Sequence, residues 1–224
     1  DFALVAEALK ERGLMIDKIA PHLVRPVPFL YPLTHRGWER FYVGSGVALY
    51  DAMSRIAGTG DVPLHKHLTR RGARQLAPAL RKDALVGALR YYDAQVDDAR
   101  HTMFIARTAA AYGAHVANRA RVVELLREGE RVTGAVVHDL ESDRRITIRA
   151  RQVVNATGVW TDDTQGLAGQ ARPFHVRASK GVHLVVPKDR IRSSVGMILR
   201  TEKSVLFVIP WGRHWIIGTV HAAT

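Results

Sequence analysis

The sequence contains no cysteine among its 224 residues, and this absence excludes several kinds of chemistry. Disulfide bonds, thiolate metal sites and cysteine nucleophiles all need a thiol group. The sequence also lacks any apolar stretch that approaches the ~20 residues a membrane-spanning helix needs. Its first ten residues include acidic side chains and lack the basic and then apolar order of a signal peptide. The expected class is therefore a globular protein without disulfides or a spanning helix.

Long runs of one charge are also missing, although the chain is strongly basic. Its 33 lysines and arginines outnumber 21 acidic residues, so the formal net charge is +12. Such a charge attracts polyanions, anionic lipid surfaces and phosphorylated metabolites. Basic pairs such as Arg70-Arg71 and Arg81-Lys82 are scattered, and no nucleic-acid-binding motif occurs. We therefore expect no specific nucleic acid partner, and a basic binding module without catalytic activity is one alternative interpretation.

Apolar periodicity and turn signals predict helices first, then alternating helices and strands, then strands. The predicted helices are 2–19, 44–56, 69–76, 97–112 and 160–168. The predicted strands are 85–92, 114–116, 122–126, 131–139, 144–149, 152–156, 175–177, 183–186, 197–199, 205–209 and 215–218. Alternating prolines predict that residues 23–33 form an extended or edge segment and not a central strand. This order predicts a mixed α/β (α+β) fold with parts 1–95, 96–165 and 166–224, in which the chain leaves one domain and later returns to it.

Residues 153–158, with the sequence Val-Val-Asn-Ala-Thr-Gly, form the sharpest local motif. β-Favouring residues lead into a small-residue turn, and a helix is predicted to start at Trp160. Such a turn lets backbone N–H groups approach a ligand closely, and a helix N-terminus favours a phosphate. The alternative is a buried strand with an ordinary turn, because a short glycine-containing turn is a weak signal for a nucleotide site.

The segments around this motif resemble a known class of flavoproteins. The order of residues 113–116, 121–123, the hairpin at 131–136 and the turn at 155–158 is similar to the second half of the FAD-binding domain in the glycine oxidase and D-amino-acid oxidase class. Further segments resemble signatures of FAD-dependent, quinone-linked glycerol-3-phosphate dehydrogenases. These are 20–24, 28–32, 92–100, 179–187, 207–211 and 216–219. Together they cover essentially the whole chain, which resembles an internal segment of such an enzyme.

The resemblance implies a fold and a cofactor. It assigns residues 96–165 to the second half of an FAD-binding domain, and residues 1–95 and 166–224 to a substrate (cap) domain with an antiparallel sheet. The strand at Val122 is implied to contact adenine through its backbone, and the Ala-Thr-Gly turn to lie near the flavin pyrophosphate. The implied FAD-binding residues are Arg121, Val122, Asn155, Ala156, Thr157, Gly158, Trp160 and Gly181.

The implied reaction oxidises sn-glycerol 3-phosphate to dihydroxyacetone phosphate by hydride transfer to FAD, and the electrons then pass to a quinone. His183 is the candidate proton acceptor or alkoxide stabiliser, since imidazole titrates near neutral pH. Lys180 is a candidate for stabilising the reduced flavin or the substrate phosphate. The alternatives are a histidine packed in a strand and a solvated surface lysine. Other flavin enzymes of the same fold class, such as glycerol-3-phosphate oxidase or an amino-acid oxidase, are alternative functions.

No metal site is expected. Asp97 and Asp98 are predicted to start a helix with Arg100 paired locally, and His65-Lys66-His67 is interpreted as a surface segment. Quinone use implies a cytoplasmic protein bound peripherally to the inner face of an anionic membrane. The family's Gly-x-Gly-x-x-Gly motif and its substrate arginines are absent from the sequence, and the expected Gly-Thr-Thr-Asp is replaced at 218–221 by Gly-Thr-Val-His. We therefore expect this chain alone to bind FAD poorly and to be inactive.

Overall fold

The computed structural model describes residues 2–35, 37–56, 62–83, 85–169, 175–177, 181–201 and 204–219. These residues form two compact units. The described residues of the first unit lie within 1–104 and 180–222, and those of the second lie within 105–179. The first unit is therefore built from two segments that are distant in the sequence.

The first unit contains a seven-stranded sheet in the order β2-β3-β1-β8-β9-β10-β7. The strands are β1 Val24–Leu33, β2 Lys66–Thr69, β3 Gly87–Val96, β7 His183–Pro187, β8 Gly196–Arg200, β9 Val205–Trp211 and β10 His214–Thr219. β1 and β8 pair in parallel, and the other neighbouring strands are antiparallel. The β1–β8 pair joins the two sequence segments into one sheet.

Helices accompany the first half of this sheet. They are α1 Phe2–Leu14, which continues as a π-helical turn at Met15–Ile19, α2 Trp38–Ile56 and α3 Arg70–Leu76. A fourth helix, α4 Asp98–Ala111, follows β3, and the boundary between the two units falls within it. α3 begins after Thr69, whose hydroxyl accepts a hydrogen bond from the Gly72 N–H at 3.2 Å, as an N-cap residue does. In the described part of the chain, no helix is long and apolar enough to cross a bilayer.

The core of the first unit lies where α3 packs on the central strands. Its buried members are Leu30, Ala73, Ala77, Leu85, Ala88, Val195, Met197, Val208 and Trp215. Trp215 is 0% exposed, and its indole N–H donates a hydrogen bond to the Lys188 carbonyl at 3.0 Å. Burial of a large aromatic side chain whose polar group is satisfied is strongly stabilising. The tryptophan therefore connects the two segments of the unit through one packed cluster.

The second unit contains a three-stranded antiparallel sheet in the order β4-β5-β6. Its strands are β4 Ala120–Glu128, β5 Arg131–Asp139 and β6 Arg144–Arg149, and a short helix, α5 Thr161–Gly166, follows a 3₁₀ turn at Gly158–Trp160. Gly134 on β5 has no room for a side chain, because a Cβ atom there would overlap the Ile148 carbonyl oxygen of β6. This glycine allows β5 and β6 to approach closely.

Most predicted elements are confirmed, but four extended segments need correction. Residues 114–116, 152–156 and 175–177 are not strands, and Val154 is 75% exposed. The valines in these segments favour strands, yet none of the described strands pairs with them, and a strand needs a partner for its backbone groups.

The proline-rich segment was predicted not to be a central strand, but in the structure it forms β1, which is an interior strand of the sheet. It pairs with β3 over Val24–Leu33 and with β8 at Phe29 and Leu30. Pro26, Pro28 and Pro32 have even numbers, so their positions without an N–H group face one side of the strand. The long pairing with β3 needs N–H groups on the other side only, and β8 covers the proline side for just two residues. The prediction that 23–33 is not a central strand is therefore wrong.

A polar cluster ties α1 and α2 to β3. The Arg12 guanidinium donates to the Tyr50 hydroxyl at 2.5 Å and to Ser54 Oγ at 2.8 Å, and it lies 3.5 Å from the Asp93 carboxylate. Burial and the neighbouring Asp93 charge raise the pKa of Tyr50 to about 12. They also raise the pKa of Tyr91.

This cluster predicts a loss of stability at alkaline pH. The folded state raises the Tyr50 pKa above the ordinary value of 10.0, so the folded protein favours the neutral phenol. The associated stability is complete below pH 10 and is lost as the pH rises through about 12. Urea denaturation between pH 9 and 12 should therefore show a steeper fall for the wild type than for Tyr50→Phe. Tyr112→Phe, at a 90% exposed position, should match the wild type, and equal slopes for all three proteins would contradict the assignment.

Candidate functional site

The turn after residue 154 is held by a network of side-chain hydrogen bonds. The Asn155 carboxamide oxygen accepts bonds from the Thr157 hydroxyl at 2.7 Å and from the Thr157 N–H at 3.3 Å, while its NH₂ group donates to the Thr161 carbonyl at 3.3 Å. Asn155 thus fixes the turn to the first residue of α5. Gly158 has a φ angle of 57°, in the region that glycine adopts without strain. The sequence therefore forms a rigid turn that leaves its backbone exposed.

A cavity of about 760 Å³ lies against this turn in the second unit. It is lined by the start of β4, the end of β5 and one face of the turn and α5: Arg119, Ala120, Arg121, Val122, Leu140, Thr157, Trp160, Asp163, Thr164 and Leu167. Ligand sites commonly have volumes of about 300–1,000 Å³ and combine apolar walls with a few polar groups. The cavity has the size and the mixed lining of a site for a nucleotide-sized molecule.

The β4 side of the cavity offers backbone and charged groups. β4 is an edge strand of its sheet, so the backbone groups on its outer side pair with none of the strands that the structure describes. A register shift between Val122 and Glu124 also interrupts its pairing with β5. Arg119 pairs with Glu141 at 3.6 Å, whereas Arg121 forms no ion pair within the described residues. The edge can therefore contact a heterocycle through its backbone, and Arg121 can face an anionic group.

Four of the predicted cofactor residues line this cavity together. Arg121 and Val122 come from β4, and Thr157 and Trp160 come from the turn. Asn155 braces the turn, and Ala156 and Gly158 are part of it. Gly181 belongs to the first unit and is exposed, and it does not line this cavity. Lys180 lies outside the described residues.

The residues of α5 that line the cavity were not predicted from the sequence. Asp163, Thr164 and Leu167 line it together with Trp160, and the Thr164 hydroxyl lies 3.2 Å from the Thr157 hydroxyl. A helical signal for this face was present, because residues spaced three and four apart share one side of a helix. The other missed lining residues carry no such local signal, since they are brought together only by the pairing of β4 with β5: Arg119, Ala120 and Leu140.

His183 is the first residue of β7, at the edge of the seven-stranded sheet, and it is exposed. Its partner on β10 is Gly218. A Cβ atom on Gly218 would overlap the imidazole ring of His183, so the ring occupies the space where a side chain of β10 would stand. His183 is therefore not a packed core histidine, and Gly218 is the residue that gives its ring this position.

Two other predicted clusters have structural roles. The Asp97 carboxylate accepts a hydrogen bond from the Arg100 N–H at 3.1 Å and lies 3.5 Å from the Arg100 guanidinium, which confirms the predicted helix start. His65 is bound to the Asp51 carboxylate at 2.7 Å and is partly exposed, whereas Lys66 and His67 are exposed. Within the part of the chain that the structure describes, no group of three or more histidine, aspartate or glutamate side chains could hold a metal ion.

The fold and the cavity define a class of protein. The sequence profile described as FAD dependent oxidoreductase matches residues 1–224, so the chain belongs to this family of FAD-dependent enzymes. Among curated relatives, it is 59% identical over 219 residues to glycerol-3-phosphate dehydrogenase 2 of Mycobacterium tuberculosis. That match covers 98% of this chain and 37% of the relative. The chain thus spans little more than a third of the length of this relative.

Solved structures agree with this family. A glycerol-3-phosphate dehydrogenase from Bacillus halodurans complexed with FAD has a TM-score of 0.75 at 26% identity, over 98% of this chain and 39% of that one. Glycine oxidase from Geobacillus kaustophilus has a TM-score of 0.55 at 17% identity, over 98% of this chain and 52% of that one. The second match supports the fold alone. The predicted fold class, a flavoprotein of the glycine oxidase type, is confirmed.

Proposed function

We propose that the protein to which this chain belongs oxidises sn-glycerol 3-phosphate to dihydroxyacetone phosphate with FAD as the hydride acceptor. Relatives named glycerol-3-phosphate dehydrogenase match the chain over nearly its whole length. The observation that carries the proposal is the cavity at the Asn155–Gly158 turn, because it joins the turn to the free edge of β4. The resemblance to FAD-binding domains implies that such a strand contacts the adenine and that such a turn lies near the pyrophosphate.

The residues of the second unit fit part of an FAD molecule. The outer backbone of β4 at Arg121 and Val122 is suited to the adenine, and the turn offers the Gly158 N–H to a phosphate, since the Thr157 N–H is bound by Asn155. Trp160 provides an apolar face, and it is 67% exposed. FAD, when bound, accepts the hydride and supplies the redox chemistry. We assign the second unit to the cofactor and the first unit to the substrate.

His183 is proposed to take the proton of the C2 hydroxyl as the hydride leaves C2. Imidazole suits this task because its ordinary pKa lies close to neutral pH. The exposed ring on an edge strand is accessible to a substrate. Lys180 is proposed to stabilise negative charge on the reduced cofactor or on the substrate phosphate, and Gly181 to allow close approach of the backbone.

We further propose that a quinone is the final electron acceptor and that the protein binds peripherally to the inner face of the cell membrane. The net charge of +12 supports attraction to anionic lipids. A glycerol-3-phosphate oxidase, which would pass the electrons to oxygen, is the alternative that the following experiment separates.

The test uses a chimera in which this chain replaces the matching segment of the Mycobacterium tuberculosis relative. The purified chimera is mixed without oxygen with sn-glycerol 3-phosphate, glycine or L-proline, and the flavin absorbance is followed. We expect bleaching by sn-glycerol 3-phosphate alone, followed by reoxidation with a soluble quinone faster than with oxygen. Bleaching by an amino acid would contradict the proposed substrate. Faster reoxidation by oxygen than by the quinone would contradict the proposed electron acceptor.

Gly218 provides a prediction about the position of His183. In the chimera, Gly218→Ala should lower kcat by about 10- to 100-fold, because displacement of a reacting group by about 1 Å has effects of this size. The flavin content and KM should change little, and the pH profile of kcat should change if His183 is the proton acceptor. Gly46→Ala is the matched control, since a Cβ atom at Gly46 meets no other atom within 4 Å. A Gly218→Ala variant with wild-type kcat would contradict the role given to the glycine.

A further inference from the structure

A second cavity, in the first unit, is lined almost entirely by positive charge. Its volume is about 380 Å³, and its lining residues are Arg70, Arg71, Arg74, Gln75 and Lys82. Three of its four cations lie on α3 and the fourth lies in the loop that follows. No carboxylate is among the lining residues. None of these residues is assigned to the cofactor or to proton transfer.

The cations of this cavity lack carboxylate counter-ions in the part of the chain that the structure describes. Among the described residues, no carboxylate pairs with Arg70, Arg71, Arg74 or Lys82. The nearby Asp83 is bound by Arg81, whose Nε and Nη2 atoms lie 3.2 and 2.5 Å from its two carboxylate oxygens. Like charges placed together are unfavourable unless an anion compensates them.

Arg74, one of the lining residues, has a side-chain nitrogen atom without a hydrogen-bond acceptor among the described residues. Its Nε atom is buried and has no hydrogen-bond partner among the described residues. Buried polar atoms are rarely left without a partner, because desolvation of the group is then not compensated. Arg74, which lines the cavity, therefore keeps a hydrogen-bond donor that the described residues leave unsatisfied.

The backbone that carries these side chains is fixed in place. Ala73 and Ala77 are 0% exposed and belong to the core cluster, so one face of α3 is anchored while the arginine face is open. Arg70 also lines a neighbouring cavity of about 360 Å³ with His35 and Arg40. The basic surface therefore continues beyond the first cavity, on a rigid support.

We infer that this cavity, the α3 arginine pocket, binds a phosphate group. Guanidinium forks match the geometry of phosphate oxygens and form charge-assisted hydrogen bonds with them. Several arginines around one cavity therefore fit a phosphate better than a carboxylate, which needs only one such fork. The phosphate could belong to a lipid headgroup or to a free phosphorylated molecule, and the two sources share this chemistry.

The experiment measures binding of the purified chain to inorganic phosphate by calorimetry, and to phosphatidylglycerol and phosphatidylcholine vesicles by sedimentation. Arg71→Gln/Arg74→Gln is compared with Arg144→Gln/Arg145→Gln, which removes the same charge from β6 of the other unit. We expect the first variant to weaken phosphate binding by about 10-fold or more, and the second to leave it within about 2-fold. Circular dichroism checks that each variant is folded, and the single variant Arg71→Gln, at an exposed position, serves if the double variant unfolds.

The vesicle measurements identify the source of the phosphate. Loss of binding to phosphatidylglycerol vesicles in the Arg71/Arg74 variant alone supports a lipid headgroup, whereas phosphate binding without vesicle binding supports a free phosphorylated ligand. Equal phosphate affinity of the two double variants, or no phosphate binding by the wild type, would contradict the proposed phosphate site. These readouts do not involve flavin, so failure here leaves the proposed oxidation of sn-glycerol 3-phosphate unaffected, and the reverse also holds.

Discussion

Replacement of His183 by asparagine is expected to lower kcat for sn-glycerol 3-phosphate oxidation in the chimera by about 100- to 10,000-fold, the range for loss of a general base. Asparagine is similar in size to part of the imidazole ring and can still form hydrogen bonds, but it cannot accept a proton at neutral pH. The flavin content should not change, because His183 does not belong to the unit that holds the proposed FAD cavity. Stopped-flow measurement of flavin reduction isolates this step from the later transfer to a quinone.

His214 is the matched control for this variant. It is an exposed histidine on β10, the strand next to β7, and it pairs with Pro187 at the other end of β7. His214→Asn should reduce flavin at the wild-type rate. If both variants lose activity equally, the sheet edge as a whole is being disturbed. If neither loses activity, His183 is not the proton acceptor and the proposed mechanism is wrong.

The largest effect on folding is expected for Trp215→Ala, with a loss of about 3–5 kcal/mol in the free energy of unfolding. Trp215 is fully buried in the core cluster, so the substitution leaves a large cavity. It also leaves the Lys188 carbonyl without its indole donor. Since domains are typically stable by only about 5–15 kcal/mol, this variant should unfold at a much lower urea concentration than the wild type.

Trp38→Ala provides the comparison for Trp215→Ala. Trp38 is 60% exposed on the first turn of α2, where truncation should cost about 0.5 kcal/mol or less. Each variant lacks one tryptophan, so the fluorescence signal of unfolding is reduced in both. Circular dichroism provides a second measure of unfolding. Similar urea midpoints for the two variants would contradict the placement of Trp215 in the core.

The hairpin of β5 and β6 and the four helical segments before residue 113 follow from local patterns, and the sequence predicts them well. Local patterns fail where a neighbouring strand decides the outcome. Val153 and Val154 favour a strand, but no described strand pairs with them. The prolines of β1 argue against an interior strand, yet a partner on one side and a two-residue contact on the other accommodate them.

The same holds for the candidate site: features set by neighbouring residues could be predicted, and contacts between residues distant in the sequence could not. The Thr157-Gly158 turn is visible in the sequence as a strand-favouring run followed by small residues. Its closeness to Arg121 and Val122 is suggested only by resemblance to other flavoproteins, because the contact depends on tertiary packing. The role of Gly218 beside His183 depends on the register of β7 and β10, which no local pattern specifies. The pairing of strands that are distant in the chain is the feature that is hardest to predict from a single sequence.

The central claim is that the Asn155–Gly158 turn and its cavity hold FAD, and the dissociation constant for FAD in the chimera tests it most directly. Gly158→Ala and Gly169→Ala are a matched pair: both glycines have positive φ angles, 57° and 65°, and a Cβ atom at either meets nothing within 4 Å. Both variants therefore carry the same backbone strain, of about 1–2 kcal/mol, but only Gly158 lies in the turn. We predict FAD binding at least about 10-fold weaker for Gly158→Ala and unchanged for Gly169→Ala. Equal dissociation constants for the two variants would contradict the claim.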